Sequence, residues 1–306
     1  MVCYFVLQSE WQLEATMRII RAEHLGMCFG VRDAIALAHK EAGKQPITIL
    51  GELVHNDTVL ARLREMGIQF HNDAREVATE TVMITAHGAS EQRLGAVRAR
   101  GLRVLEATCP LVHVAHNALK KLVCEGCHPI IIGRRDHTEV RGMTEDLTTF
   151  DIVLSPAEIT NLQEHAVFGV VAQTTQPIER VRELVHLIRE RFPLSEVRFM
   201  DTVCQPTKQR QVAAEELAQR CDVVVVIGGA HSNNTRELVE TCLRHCDRVH
   251  HVQTSVELRH EWFFLDDMVG ITAGTSTPES TILEVEQWLQ LHPSTCDKSN
   301  NNGVLV

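Results

Sequence analysis

The 306-residue sequence has no basic excess: 30 lysines and arginines stand against 40 aspartates and glutamates, a formal net charge of −10. Nucleic-acid binders usually show a basic surplus or stripe, so that class is set aside. Nor is there an apolar run of 18 residues, the length a membrane-spanning helix needs. A signal or transit peptide is not expected either. The apolar stretch at 2–7 is short, no basic residue precedes it, and Glu10 and Glu14 follow it, which fits neither pattern. Residues 1–16 are expected to be a loose extension and 292–306 a polar tail. In a long chain with no secretory leader, the ten cysteines read as buried thiols or metal ligands of a reducing, cytoplasmic setting, not as disulfides.

What is present is a regular alternation of β-rich apolar runs with amphipathic helical patterns, which indicates parallel α/β units. The strands fall into three sets of four: 18–22, 47–50, 68–70 and 82–86; 103–107, 129–133, 152–154 and 167–172; 197–200, 223–228, 249–252 and 268–273. A cysteine follows the first strand of every set: Cys28, Cys109 and Cys204. A polar cluster follows every second strand: His55-Asn56, His137-Thr138-Glu139 and Ser232-Asn233-Asn234. The separations from cysteine to cluster are 27, 28 and 28 residues. His87, Thr174 and Ser276 follow the fourth strands. This points to an internal repeat of about 80–95 residues. The expected boundaries are 17–109, 110–200 and 201–291, with the strand in 17–29 packing with the third domain.

In parallel α/β sheets, ligands bind beyond the carboxyl ends of the strands. If the three units face a common axis, three thiolates converge there inside a polar ring. Such a centre suits a zinc ion with one further ligand or a 4Fe–4S cluster with one iron free of protein sulfur; three metal-free buried thiols is the plain alternative. Cys124 and Cys127, a CxxC pair, fall at the far end of the helix after Cys109 and are expected to lie away from the centre. Cys221, Cys242 and Cys246 read as core thiols. His55, His87, Ser232, Asn234 and Ser276 sit at glycine-containing turns or helix starts, where capping and phosphate binding use the same N–H groups. Glu139 is the only acid of the ring. A carboxyl group there should have a raised pKa and serve as proton donor, with His137 orienting it or relaying a proton and Thr174 fixing a substrate hydroxyl.

Several of these segments together resemble the 4-hydroxy-3-methylbut-2-enyl diphosphate reductases, the terminal enzymes of the methylerythritol phosphate route to isoprenoids. They are Gly26-Met27-Cys28-Phe29-Gly30, Val54-His55-Asn56, Ala86-His87-Gly88, Ala107-Thr108-Cys109-Pro110, His137-Thr138-Glu139-Val140, Gln173-Thr174-Thr175, Cys204, Ser232-Asn233-Asn234-Thr235 and Thr272-Ala273-Gly274-Thr275-Ser276. Many members carry proline where this chain has Thr138, and serine is commonest where it has Asn233. The resemblance implies three similar four-stranded α/β domains in a trefoil around one 4Fe–4S cluster held by Cys28, Cys109 and Cys204. It implies His55, His87, His137, Thr174, Ser232, Asn233, Asn234 and Ser276 as the binding site for a small allylic diphosphate, and Glu139, His137 and Thr174 as catalytic residues. Ferredoxin or flavodoxin would supply electrons one at a time; neither nucleic acid nor membrane is an expected partner. Rival readings from other classes are a non-catalytic iron–sulfur carrier or redox sensor, and a zinc hydrolase on the same thiolates.

Overall fold

The computed structural model describes residues 17–292. The expected extension at 1–16, and the expected tail beyond its first residue, lie outside the described residues, as do Cys3 and Cys296.

The chain runs through one sequence of elements three times. The first pass is β1 (Arg18–Arg21), α1 (Phe29–Ala42), β2 (Ile47–Leu50), α2 (Asp57–Glu65), β3 (Gln69–His71), β4 (Thr81–Ile84) and α3 (Glu91–Ala99). The second is β5 (Arg103–Glu106), α4 (Pro110–Cys124), β6 (His128–Ile132), α5 (Thr138–Thr144), β7 (Asp151–Val153), α6 (Pro156–Ile159), β8 (Val167–Ala172) and α7 (Ile178–Arg191). The third is β9 (Glu196–Phe199), α8 (Gln205–Ala218), β10 (Val223–Ile227), α9 (Asn233–Leu243), β11 (Val249–Val252), β12 (Met268–Ala273) and α10 (Glu279–Leu291).

The strands assemble into three four-stranded sheets ordered β3-β2-β4-β5, β7-β6-β8-β9 and β11-β10-β12-β1, and every pairing is parallel. The sets of four read from the sequence mark the repeat and not the sheets, whose membership follows the boundaries at 109 and 200 and the pairing of the first strand with the third unit. Thus β5 closes the first sheet beside β4, β9 closes the second beside β8, and β1 closes the third beside β12. The crossovers through α3 and α7 return the chain to the same sheet, seating β5 beside β4 and β9 beside β8, whereas α1, α4 and α8 carry it on into the next sheet. Each cysteine-bearing segment therefore leaves one sheet and enters the next unit, so the three cysteines occupy the three joints of the assembly.

Helices cover both faces of each sheet, as parallel sheets require. Val223–Ile227 is buried along its whole length. On α7, Val181, Leu184, Val185 and Ile188 are buried, a helical stripe that packs on Phe168 and Val170 of β8. Burying each such aliphatic side chain contributes about 2 kcal/mol. Cys221, Cys242 and Cys246 belong to the apolar core between α8, α9 and the third sheet.

Candidate functional site

Cys28, Cys109 and Cys204 are the residues at which α1, α4 and α8 begin. The unpaired N–H groups of a first helical turn favour a thiolate; those of Leu111 and Val112 face Cys109, and the Thr207 hydroxyl lies 3.1 Å from Cys204 Sγ. Burial acts against this, raising the Cys109 thiol and pushing Cys204 up to about 11. A bound cationic centre reverses that balance, because metal binding deprotonates thiols.

The three segments meet. A Cβ at Gly30 would lie 2.5 Å from Cys109 Sγ, so the first turn of α1 packs directly on the second thiol and needs a glycine there. Cys28 and Glu139 both act electrostatically on Cys109 and on Cys204. Among the described residues, however, the three thiols do not form a set with donor atoms within 4.8 Å of one another. Three sulfurs on one zinc at about 2.3 Å would be only about 3.8 Å apart. Three thiol donors are a soft set, suited to a thiolate-bound metal centre.

Beside the thiols, three histidines from three loops cluster. His55 follows β2, His87 follows β4 and His137 follows β6. The His55 and His87 rings stack with centroids 4.2 Å apart, and His137 stands edge-on at 5.0 Å from His55 and 5.4 Å from His87. Burial, reinforced by its two neighbours, drives His87 well below the usual histidine range, and burial lowers His137 to about 3. His137 opens α5 and its Nδ1 accepts from the Glu139 N–H at 3.2 Å, which leaves Nε2 as its donor. His55 Nδ1 is bonded to Glu52 Oε2 at 3.0 Å. His55 Nε2 and His87 Nδ1 are buried with no partner among the described residues.

The third unit closes the ring. Ser232 begins α9 and accepts from the Thr235 N–H, so its hydroxyl hydrogen stays available. Asn233 donates to the carbonyl and hydroxyl of Thr175. Both polar side-chain atoms of Asn234 are buried and unpartnered among the described residues. Ser276 donates to the His55 carbonyl at 3.1 Å. Gly229 packs against that carbonyl so closely that a Cβ would lie 2.5 Å from it. His55, His87, His137, Thr175, Ser232, Asn233, Asn234 and Ser276 line a narrow cavity of about 40 Å³.

Glu139 is 1% exposed. Its Oε1 accepts the Thr174 N–H at 2.6 Å and its Oε2 the Thr174 hydroxyl at 2.9 Å. Burial raises its pKa to about 7, against the lowering effect of those two bonds. A carboxyl group poised at that value can hold and release a proton at neutral pH.

Cys124, exposed, and Cys127, buried, lie at the end of α4 and before β6, where Cys127 packs near Arg198. Two charged residues beside the site are not among the candidates that the sequence offers. Glu52 could have been flagged as a carboxylate three residues before His55. Arg210, buried on α8, gives no signal in the sequence, because its neighbours come from a segment 184 residues away.

The chain matches the family described as LytB protein over residues 19–290. A curated relative from Trichlorobacter lovleyi, named 4-hydroxy-3-methylbut-2-enyl diphosphate reductase, is 37% identical over 271 residues, 88% of this chain and 96% of the relative. A relative of the same name from Aquifex aeolicus is 36% identical over 279 residues, 89% of this chain and 96% of its own. Among solved structures, the E-1-hydroxy-2-methyl-but-2-enyl-4-diphosphate reductase from Plasmodium falciparum superposes with a TM-score of 0.82 at 26% identity, covering 90% of this chain and 88% of that one. A structure of (E)-4-hydroxy-3-methyl-but-2-enyl diphosphate reductase, described as the terminal enzyme of the non-mevalonate pathway, gives 0.65 at 35% identity, covering 90% of this chain and all of that one.

Proposed function

Because this chain belongs to the LytB protein family, we propose that it reduces (E)-4-hydroxy-3-methylbut-2-enyl diphosphate, with loss of the hydroxyl as water, to isopentenyl and dimethylallyl diphosphate. The observation that carries this reading is the junction of three joint cysteines, a histidine cluster with orphaned nitrogens and one buried, proton-holding acid. Cys28, Cys109 and Cys204 would hold one 4Fe–4S cluster, which when bound supplies two electrons, one at a time, that ferredoxin or flavodoxin delivers. Eight free cysteines among the described residues suit a reducing cytoplasm.

The remaining steps belong to the chain's own side chains. His137 Nε2–H, the Ser232 hydroxyl, the Asn234 amide and the N–H groups at the start of α9 bind diphosphate oxygens, and His55 and His87 offer the orphaned nitrogens. In its acid form Glu139 carries a proton on Oε2, which reverses the bond to Thr174: Oε2–H then donates to the Thr174 hydroxyl, whose own proton goes to the departing substrate hydroxyl. Water leaves, and Glu139 is left as carboxylate, retained by the Thr174 N–H. The two electrons and a second proton complete the allylic product. His137, held neutral and with Nδ1 occupied, orients this acid through its backbone and is a poor proton carrier.

A carrier or sensor would need neither the buried acid nor the orphaned polar ring. The test is anaerobic reconstitution with iron and sulfide, followed by reduction of the hydroxylated diphosphate with a chemical reductant. A brown protein that releases both five-carbon diphosphates is the expected result. A colourless zinc protein, or a brown one without turnover, overturns the reading.

A further inference from the structure

Arg210 sits six residues into the helix that Cys204 opens, and it is 8% exposed. Its Nε and Nη2 donate to the Gly26 carbonyl at 3.0 and 2.8 Å, and its Nη1 donates to the Pro206 carbonyl at 3.0 Å. Gly26 precedes Cys28 by two residues, and Pro206 follows Cys204 by two. One guanidinium therefore ties the loop carrying the first thiol, in the joint leaving β1, to the helix carrying the third, in the joint leaving β9. A guanidinium is always charged, and a buried charge needs a compensating partner. Among the described residues no carboxylate stands within ion-pair distance of Arg210; burial lowers its pKa, and the groups that act against this are Cys28 and Cys204, which carry negative charge once they hold a metal centre.

From this geometry we infer that Arg210 is a positioning residue for the cysteine centre. It fixes the Cys28 loop relative to the Cys204 helix, and its fixed positive charge eases entry of an electron into the centre those thiolates hold. The inference rests on the iron–sulfur reading above. Charges and hydrogen bonds around such a centre set its potential and its retention, and Arg210 supplies both from one side chain with no acid to neutralise it.

The two contributions separate by substitution. R210K keeps the charge but cannot make the forked bond to Gly26 O together with the bond to Pro206 O. R210Q loses the charge. Wild type, R210K and R210Q are reconstituted anaerobically. Three properties are read: the midpoint potential by a titration followed by electron paramagnetic resonance, the rate of iron loss to a chelator, and the unfolding temperature of the iron-free chain. Both variants should lose iron faster, by roughly 10–100-fold, the usual cost of removing an outer-shell partner. R210Q should also shift the potential to more negative values, while R210K stays near wild type. Unchanged potential and retention in R210Q overturn the inference. Collapse of the fold in both variants also overturns it, since Arg210 would then act in folding alone. Wild-type chain that takes up no iron removes the reading beneath it, an outcome visible before either variant is compared.

Discussion

Thr174 grips both oxygens of Glu139, one through its backbone N–H at 2.6 Å and the other through its hydroxyl at 2.9 Å. The first bond survives replacement of Thr174 by valine and the second does not, so the two contacts can be separated. Glu139→Gln keeps the volume and the acceptor oxygen but cannot donate a proton at neutral pH. It should retain iron at the wild-type level and lose turnover by about 10²–10⁴, the usual worth of general acid catalysis. Thr174→Val keeps the backbone bond and interrupts the relay, so its loss should be smaller, about 10–100-fold in kcat. Steady-state rates beside iron content per chain check both. Near-wild-type turnover in Glu139→Gln would remove this acid from the mechanism.

The raised pKa of Glu139 also makes a stability prediction whose sign is unusual for a carboxylate. Its folded value of about 7 lies above the ordinary value of 4.5, so between those pH values the folded chain binds more protons than the unfolded one. Stability then falls as pH rises through that window, by up to roughly 3 kcal/mol for this group alone. Glu139→Gln in the iron-free chain should therefore be more stable than wild type at pH 8 and nearly equal to it at pH 5. Urea unfolding at the two pH values measures this, and an equal difference at both would show that burial does not strain the carboxylate. The same titration should make kcat decline above about pH 7, where the acid form disappears.

How far the sequence discloses this molecule depends on the range of the interactions involved. The alternation of strands and helices is local, and the structure contains every expected strand to within a few residues. The 27- and 28-residue spacings from cysteine to polar cluster follow from local element lengths, and the same arithmetic brings His55, His137 and Ser232 to carboxyl ends of strands. Sheet membership is not local. The boundary at 109 keeps Arg103–Glu106 in the first unit, but which strand it pairs with depends on a crossover, which apolar periodicity does not record. Arg210 and Glu52 stayed silent for a related reason: a basic or acidic residue on a helix or loop reads as solvated until its partners, here a carbonyl from a remote loop and an imidazole, are placed beside it.

Asn234 offers a site where binding and stability should move in opposite directions. Its two polar side-chain atoms are buried and without partner among the described residues, a condition that costs about 1–3 kcal/mol when nothing answers it. Asn234→Ala should weaken inorganic diphosphate binding by roughly tenfold, the loss of one hydrogen bond to a charged group. The same change should leave the unfolding temperature of the free chain unchanged or raised. Calorimetric titration with diphosphate and a thermal scan give the two numbers. A parallel loss of both would mark Asn234 as a structural residue.

The cysteines divide by position, and substitution should expose the division. Cys28→Ala, Cys109→Ala and Cys204→Ala each remove a ligand from the joint centre, so each should fail to retain a full complement of iron while leaving the apolar cores intact. Cys124→Ala and Cys127→Ala, at the far end of α4, should bind iron as wild type does. Cys127 is buried, so its loss should cost about 1 kcal/mol of stability through packing alone. Iron analysis after anaerobic reconstitution decides the matter, and loss of iron in the CxxC variants would move the centre away from the three joints.

Gly229 tests whether the first and third units must touch for the site to exist. An added methyl would stand 2.5 Å from the His55 carbonyl oxygen and 3.2 Å from the Asn56 Cα. Both are backbone atoms, so no side chain can rotate away to relieve the clash. The loop holding His55 would have to withdraw from the third unit, which breaks the Ser276 bond to the same carbonyl and shifts the imidazole that stacks on His87. Gly229→Ala should therefore destabilise the chain by about 1–3 kcal/mol, the usual cost of overpacking, and weaken diphosphate binding. Iron uptake should persist, since no cysteine lies in either loop. A variant with wild-type diphosphate affinity would show that His55 reaches its ligand without support from the third unit.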